Sequence, residues 1–205
     1  MRDFLNSIGY MGWVLPALLA IPVVGAALVW ATPTPRRRGL PVGTDEVAAG
    51  IASGPRWVAF WVLLIEFVVS LGLWWAFDPS TSQWQAVFDR SWIPGWGVRF
   101  TIGIDGIALM MILLTTFIMV LAVVGSWTGI RARSHGYYSL MLLLTAGMLG
   151  VFMSLDLFLF YVMWEVMLVP MYFIVGIWGG ERRVYASVKF FIYTMVGSLL
   201  MLVAI

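Results

Sequence analysis

Three charged side chains lie inside long apolar segments of this 205-residue sequence, and each could take part in moving a proton: Glu66, Glu165 and Lys189. A charge at the centre of a bilayer costs on the order of 3 kcal/mol by insertion scales, so such residues usually serve a function. Desolvation favours the neutral form of a carboxyl group, whose proton can then respond to a nearby charge or to entering water. That behaviour is the chemistry of a proton relay.

Glu165 is the strongest candidate because it lies nearest to the middle of its apolar segment. Helical spacing places Tyr161 (i−4) and Tyr172 (i+7) on the same face. Pro170 cannot donate a hydrogen bond to the carbonyl of Val166, which leaves an acceptor free in the same stretch. We predict a proton relay at Glu165. The alternative is a permanently neutral carboxyl that is hydrogen-bonded to another helix.

Lys189 belongs to a polar stripe on its helix, which must meet protein or water inside a bilayer. The other members of the stripe and its flank are Tyr185, Tyr193, Thr194, Gly197 and Ser198. Lys189 also lies close enough to Arg183 to extend its amine to the membrane surface. A relay or electrostatic role and a simple anchoring role therefore both remain open. Glu66 has no charged neighbour in its segment, and we interpret it as a structural, hydrogen-bonded carboxyl.

The composition shows which elements must position these residues. Hydrophobic residues make up 62% of the chain and charged residues only 11%, which excludes a soluble globular domain. A bilayer crossing needs about 20 apolar residues. We predict one membrane domain over 1–205, an all-α polytopic transmembrane helix bundle. Its six windows are 11–31, 57–77, 107–127, 137–154, 155–178 and 184–205. The fourth and fifth are separated only by a polar turn at Ser154, Leu155 and Asp156.

The arginines divide the loops into two groups. The loops after the first, third and fifth windows contain Arg36, Arg37, Arg38, Arg56, Arg131, Arg133, Arg182 and Arg183. The opposite side contains only Arg2, Arg90 and Arg99. The positive-inside rule then predicts an N-terminus outside the cell. A cleaved signal peptide ending near Ala31 is the less favoured alternative, because cleavage would export three arginines.

The two long connections differ in kind. Prolines and glycines predict an irregular polar loop over residues 32–56. In residues 78–106, tryptophan and phenylalanine alternate with charged residues, which indicates either an amphipathic segment on the membrane surface or an ordinary loop. We assign His135 to a loop and predict no metal there. The chain has no cysteine, which excludes disulfides and iron–sulfur ligation within it.

Several motifs carry a resemblance to a known family. They are Gly103-Ile104-Asp105-Gly106, Trp164-Glu165, Val169-Pro170-Met171-Tyr172-Phe173, Trp178-Gly179-Gly180-Glu181-Arg182-Arg183 and Lys189-Phe190-Phe191-Ile192-Tyr193-Thr194. In this order they closely resemble the subunit M (chain 4) family of respiratory complex I. These are the antiporter-like, proton-conducting subunits of NADH:quinone oxidoreductase. The resemblance is strongest from about residue 99 onward.

The resemblance implies roles for some residues. Glu165 matches the essential glutamate of the family, which pairs with a lysine on helix seven and passes protons towards a lysine on helix eight. Family members have about fourteen helices, and this sequence stops inside the sixth, so we expect it to be part of a longer subunit. Lys189 matches a family position whose role is less certain, and Glu66 matches no motif of the family.

The resemblance also implies a setting. The chain is expected to be a non-redox subunit of a translocase, with NADH, FMN, iron–sulfur clusters and quinone bound by partner subunits and no cofactor of its own. Its partners would be the other complex I membrane subunits, including neighbouring antiporter-like ones, and not nucleic acid. The expected location is an energy-transducing membrane, the bacterial inner membrane. A multisubunit cation/proton antiporter and a purely structural membrane spacer are the alternatives.

Overall fold

The computed structural model describes residues 2–32, 54–130 and 133–204. Arg36, Arg37, Arg38 and Arg131, with most of the polar loop expected over 32–56, lie outside the described residues.

Six helices are long and apolar enough to cross a membrane, and a short helix α1, Arg2–Ser7, precedes them. They are α2 (Tyr10–Ala31), α3 (Gly54–Ala76), α4 (Gly106–Gly125), α5 (Ser134–Met153), α6 (Leu157–Trp178) and α7 (Arg183–Ala204). Their ends differ from the sequence windows by no more than three residues. A helix satisfies its own backbone hydrogen bonds, which is why runs of this composition adopt it in a bilayer.

Contacts between helix ends define two sides of the bundle. On one side, Arg56 at the start of α3 donates a hydrogen bond to the carbonyl of Trp127 beyond α4, at 3.4 Å. The rings of Tyr137 and Trp178 bring the start of α5 to the end of α6, with centroids 5.3 Å apart. We call this side, where Arg56, Arg133, Arg182 and Arg183 lie, the arginine side. The opposite side is the hairpin side.

The hairpin side carries an antiparallel β-hairpin, β1 (Gln85–Ile93) and β2 (Val98–Ile104). A turn over Pro94–Trp96 joins the strands, and Gly97 follows it with a φ of 71°, which glycine tolerates. Neither the amphipathic surface segment nor the ordinary loop expected for residues 78–106 predicted these strands, although Trp92 and Trp96 do pack on Phe158 at the start of α6. The period of two that is typical of a strand is seen in β2, at Phe100, Ile102 and Ile104, whereas Trp84, Phe88, Trp92 and Trp96 recur every four residues. The fold is mostly helical, with this one sheet in the described part.

Both strands attach the hairpin to the bundle: β1 packs against α2, and β2 packs against α5 and α6. Ile102 and Ile104 are fully buried in a hydrophobic cluster that includes Leu149 of α5 and Leu159 of α6. The backbone N–H of Leu155, in the turn between α5 and α6, donates to the carbonyl of Thr101 at 2.9 Å. The hairpin therefore covers the ends of these helices.

Two aspartates begin helices on the hairpin side. The side chain of Asp105 accepts a hydrogen bond from the backbone N–H of Ala108 at 2.7 Å. Asp156 accepts from the N–H groups of Phe158 and Leu159 at 2.9 and 3.0 Å. These bonds satisfy donors that the first turn of a helix leaves free. Asp156 thus separates α5 from α6 at the polar turn that the sequence indicates.

The six helices are buried to different degrees. α5 is the most enclosed, and it packs against α2, α4 and α6. α2 is held in the bundle by a hydrogen bond of 3.0 Å from the Ser139 hydroxyl of α5 to the Ala26 carbonyl. α6 and α7 are the least buried helices, so much of their surface is exposed in this chain alone. The helix that carries Glu165 thus packs on α5 with one side and on α7 with another.

Candidate functional site

Glu165 is the ninth residue of the 22-residue helix α6 and lies near its middle. Its side chain is half-buried, and atom Oε1 is buried without a hydrogen-bond partner among the described residues. An unsatisfied carboxyl oxygen at such a depth is costly, typically about 1–3 kcal/mol. This oxygen is free to accept a hydrogen bond from water or from a protein group.

Tyr161 is brought to Glu165, as helical spacing predicts. Its hydroxyl lies close to the carboxyl of Glu165 and also to the hydroxyl of Ser198 on α7. Ser198 itself is buried and donates to the carbonyl of Met195 at 2.9 Å. Tyr161 therefore connects the mid-membrane carboxyl to the neighbouring helix.

Tyr172 and Pro170 occupy the later turns of α6. The Tyr172 ring lies 5.3 Å from the ring of Phe191 on α7, so it packs between the two helices. Pro170 is buried within a continuous helix, and it leaves the carbonyl of Val166, next to Glu165, without its helical donor. The free acceptor expected from the sequence is thus adjacent to the candidate carboxyl.

Lys189 is not brought to Glu165 by the described residues. Its side chain is exposed, and its amine lies 5.8 Å from the ring of Tyr185. Ser187 and Ser198 are the buried residues of α7, whereas Tyr185, Lys189 and Tyr193 lie on its exposed surface. No ion pair joins Lys189 to an acid within the described ranges. Its stripe therefore faces away from this bundle, towards lipid, water or further protein.

The surroundings of Glu66 differ from those expected from the sequence. It lies at mid-length in α3 with no solvent exposure, and neither carboxyl oxygen has a hydrogen-bond partner in the part of the chain that is described. The expectation of a hydrogen-bonded carboxyl is therefore wrong. One turn further along the same face, the Ser70 hydroxyl pairs with the Thr116 hydroxyl of α4 at 2.9 Å. This pair was not predicted from the sequence, although the i+4 spacing of Glu66 and Ser70 was a signal for it.

His135 lies in the first turn of α5, so its assignment to a loop is wrong. The Nε2 atom is buried and lacks a hydrogen-bond partner among the residues described. Over the same residues, no cluster of three or more His, Asp or Glu side chains could hold a metal ion.

Six membrane-length helices, one of which carries a glutamate near its middle and a buried proline, are features of an antiporter-like membrane subunit. The family model described as "NADH:quinone oxidoreductase/Mrp antiporter, TM" matches residues 154–205, which include Glu165 and Lys189. The chain is 44% identical over 173 residues to NADH-quinone oxidoreductase subunit M of Rhodobacter capsulatus, covering 80% of this chain and 33% of the relative. It is 39% identical over 204 residues to subunit M of Escherichia coli K12, covering 94% and 37% respectively.

Solved structures agree with this class. Respiratory complex I from Thermus thermophilus with bound NADH contains a chain with a TM-score of 0.70 and 29% identity, covering 93% of this chain and 34% of that one. The Mrp complex of Dietzia sp. matches with a TM-score of 0.70 at 23% identity, covering 93% and 19%, which shows a shared fold. Over most of its own length the chain is similar to the subunit M (chain 4) members of the NADH-quinone oxidoreductases. It spans about a third of the length of the curated relatives it matches.

Proposed function

We propose that this chain forms part of the proton-translocating membrane subunit of an NADH:quinone oxidoreductase, in which Glu165 carries the proton. The observation that supports this role is the position of Glu165 at the middle of α6, with an unpartnered oxygen and with the Tyr161 hydroxyl beside it. A carboxyl in this setting can gain or lose a proton in response to a nearby charge. The similarity to subunit M relatives supports the choice of complex.

The chain itself would carry no redox chemistry in this proposal. NADH, FMN, iron–sulfur clusters and quinone would be bound by partner subunits, and electron transfer there would change the charge near Glu165. The exposed stripe of α7 with Lys189 would face further helices of the same subunit or water, since a polar face needs one of them inside a bilayer. Lys189 would then act as an electrostatic partner for groups outside this chain.

The proposed orientation of the chain in the membrane follows from the positions of its arginines. Arg56, Arg133, Arg182 and Arg183 lie on one side, and by the positive-inside rule that side would be the cytoplasm. The hairpin and the N-terminus would then lie on the opposite side, outside the cytoplasm. The membrane itself would be the inner membrane of a bacterium. The partners would be the other membrane subunits of the complex, including neighbouring antiporter-like ones.

The deciding experiment replaces Glu165 with Gln in the complete subunit within the assembled complex. Glutamine keeps the shape of the side chain but cannot exchange a proton, so proton pumping and NADH:quinone oxidoreductase activity should both fall sharply. Lys189→Gln in parallel measures the contribution of the exposed stripe. An unchanged ratio of protons to electrons in Glu165→Gln would remove this residue from the path.

A cation/proton antiporter is the second candidate, because the shared fold with the Mrp complex favours it. The two functions differ in what accompanies the chain. A complex purified through this chain should contain flavin and iron–sulfur proteins if it is an oxidoreductase. Their absence, together with cation/proton exchange in vesicles, would favour the antiporter.

A further inference from the structure

A second carboxyl group, far from Glu165 in sequence, is enclosed by the first helices of the bundle. Glu66 of α3 has no solvent exposure, and both of its oxygens lack partners among the described residues. It lies on the buried face of α3 with Leu63 and Ser70, and α3 packs against α2, α4 and α5. An ionised carboxylate in such a place has neither water nor a donor to stabilise it.

No described cation compensates for this carboxyl. On the helices that pack against α3, the ionisable side chains are Tyr10 on α2 and His135, Tyr137 and Tyr138 on α5, while α3 itself carries Arg56. Arg56 contacts Trp127 at the arginine side and lies ten residues before Glu66 on α3. The side chains of Arg2 and Asp3 in α1 are not among those described. A neutral, protonated Glu66 is the form that this environment accepts.

A series of hydroxyl groups lies between Glu66 and the hairpin side. Ser70 follows Glu66 by one turn, and its hydroxyl pairs with that of Thr116 at 2.9 Å. The hydroxyl of Tyr10, near the start of α2, donates to the carbonyl of Val69, the residue before Ser70. A Cβ atom at Gly72 would come within 2.6 Å of this hydroxyl, so glycine there allows Tyr10 to lie on α3.

We propose that Glu66 is a second proton-binding site, which exchanges its proton with the hairpin side along the face of α3 that meets the Ser70, Thr116 and Tyr10 hydroxyls. No described hydrogen bond joins Glu66 to Ser70, or the Ser70–Thr116 pair to Tyr10, so water molecules between these oxygens would complete the path. Each O–H group would pass its proton to the next oxygen and receive one from the oxygen before it, so the carboxyl regains a proton for each one it loses. The ligand is a proton and not a metal cation. The Ser70 and Thr116 hydroxyls already bond to each other and to the carbonyls of Phe67 and Ile112, whereas Na⁺ or Ca²⁺ needs a shell of several free oxygens. The site is independent of the function proposed for Glu165.

Infrared difference spectroscopy tests the protonation state in the complete protein in native membranes. At neutral pH, Glu66→Gln should remove the carbonyl stretch of a protonated carboxylic acid. Glu66→Asp should move this band without abolishing it, which identifies the band even if the Gln variant folds poorly. Asp89→Asn, a change at an exposed and ion-paired aspartate, should remove carboxylate bands instead. Loss of carboxylate bands in Glu66→Gln would overturn the proposal.

The exchange path is tested by transfer into D₂O. The Glu66 band should shift as a deuteron replaces the proton, and Thr116→Val, which keeps the shape but lacks the hydroxyl, should slow that shift several-fold. Thr194→Val is the matched control, because the Thr194 hydroxyl bonds to the carbonyls of its own helix, at 2.8 and 3.1 Å. Equal rates in Thr116→Val and the wild type would refute the path. A band that never shifts, or one that Na⁺ converts to carboxylate, would refute the site.

Discussion

Gly147 of α5 lies directly against the backbone of Met167 on α6, so that a Cβ atom at position 147 would come 3.1 Å from the Met167 Cα. The opposing atoms belong to a helix backbone, which cannot move aside like the end of a flexible side chain. Met167 is only two residues beyond Glu165. The close approach of α5 and α6 at this glycine therefore fixes the position of the carboxyl within the bundle.

Gly147→Val should separate α5 from α6 and destabilise the protein. Overpacking of this kind typically costs about 1–3 kcal/mol. Denaturant titration in detergent measures the change in the free energy of unfolding. Gly12→Ala in α2 is the control, because no atom lies within 4 Å of a Cβ there. If both variants unfold at the same denaturant concentration, the contact at Gly147 is not a close one.

Tyr161→Phe should lower the rate of proton pumping while leaving the fold intact. The substitution removes the hydroxyl that lies beside Glu165 and Ser198 but keeps the ring. The free energy of unfolding should change by less than about 1.5 kcal/mol, the value of a typical hydrogen bond. Pumping is measured in vesicles that contain the assembled complex. Tyr172→Phe, on the same helix, should have a smaller effect, and equal losses in the two variants would argue against a special role for Tyr161.

Asp156→Ala should destabilise the start of α6. The carboxylate accepts hydrogen bonds from Phe158 and Leu159 at 2.9 and 3.0 Å, and loss of such a cap costs about 0.5–2 kcal/mol. Backbone amide exchange in the first turn of α6 should become faster. Asp156→Asn, which retains an acceptor oxygen, should exchange nearly as slowly as the wild type. Unaltered protection in the Ala variant would show that the cap does not hold this turn.

Asp89 of the hairpin should titrate at a lower pH than an isolated aspartate. Hydrogen bonds from Arg99, at 2.6–3.1 Å, and from Thr101, at 2.8 Å, hold the pKa of Asp89 below its ordinary value of 3.8. The contribution of this pair to hairpin stability is thus complete above that ordinary value and is lost as the pH falls through the lower folded pKa.

Carboxyl-carbon NMR of the labelled protein in detergent measures this titration. In Arg99→Gln the pKa of Asp89 should move back towards 3.8, because the hydrogen bonds from Arg99, which contribute most to lowering this pKa, have been removed. Arg90→Gln is the control, since Arg90 lies over the ring of Phe88 and not on Asp89. A pKa that is equal in all three proteins would contradict the ion pair as the cause.

The helices were predictable because a bilayer crossing imposes a length and a composition on each segment. The polar turn before α6 was predictable for a related reason, since Asp156 cannot continue an apolar helix and caps the next one. Glu165 and Tyr161 were placed together by helical spacing alone, as both belong to one regular element. These inferences needed only local information.

The hairpin and the surroundings of Glu66 and Lys189 depend on contacts between distant segments. Ile102 is buried because α5 and α6 lie under it, and nothing in residues 78–106 shows this cover. The spacing that aligns Lys189 with its stripe says nothing about which side of α7 meets α6. The lack of a partner for Glu66 likewise follows from which helices surround α3, and a single segment cannot reveal them.

The backbone hydrogen bond between Leu155 and Thr101 attaches the hairpin to the start of α6, the helix that carries Glu165. This bond is part of an antiparallel bridge between Ser154 and Ile102, which joins the turn before α6 to β2. Whatever pulls or presses on this small sheet from outside the membrane therefore moves the first turn of α6 as well. Glu165, about two turns further along α6, is thereby coupled to the hairpin through this helix.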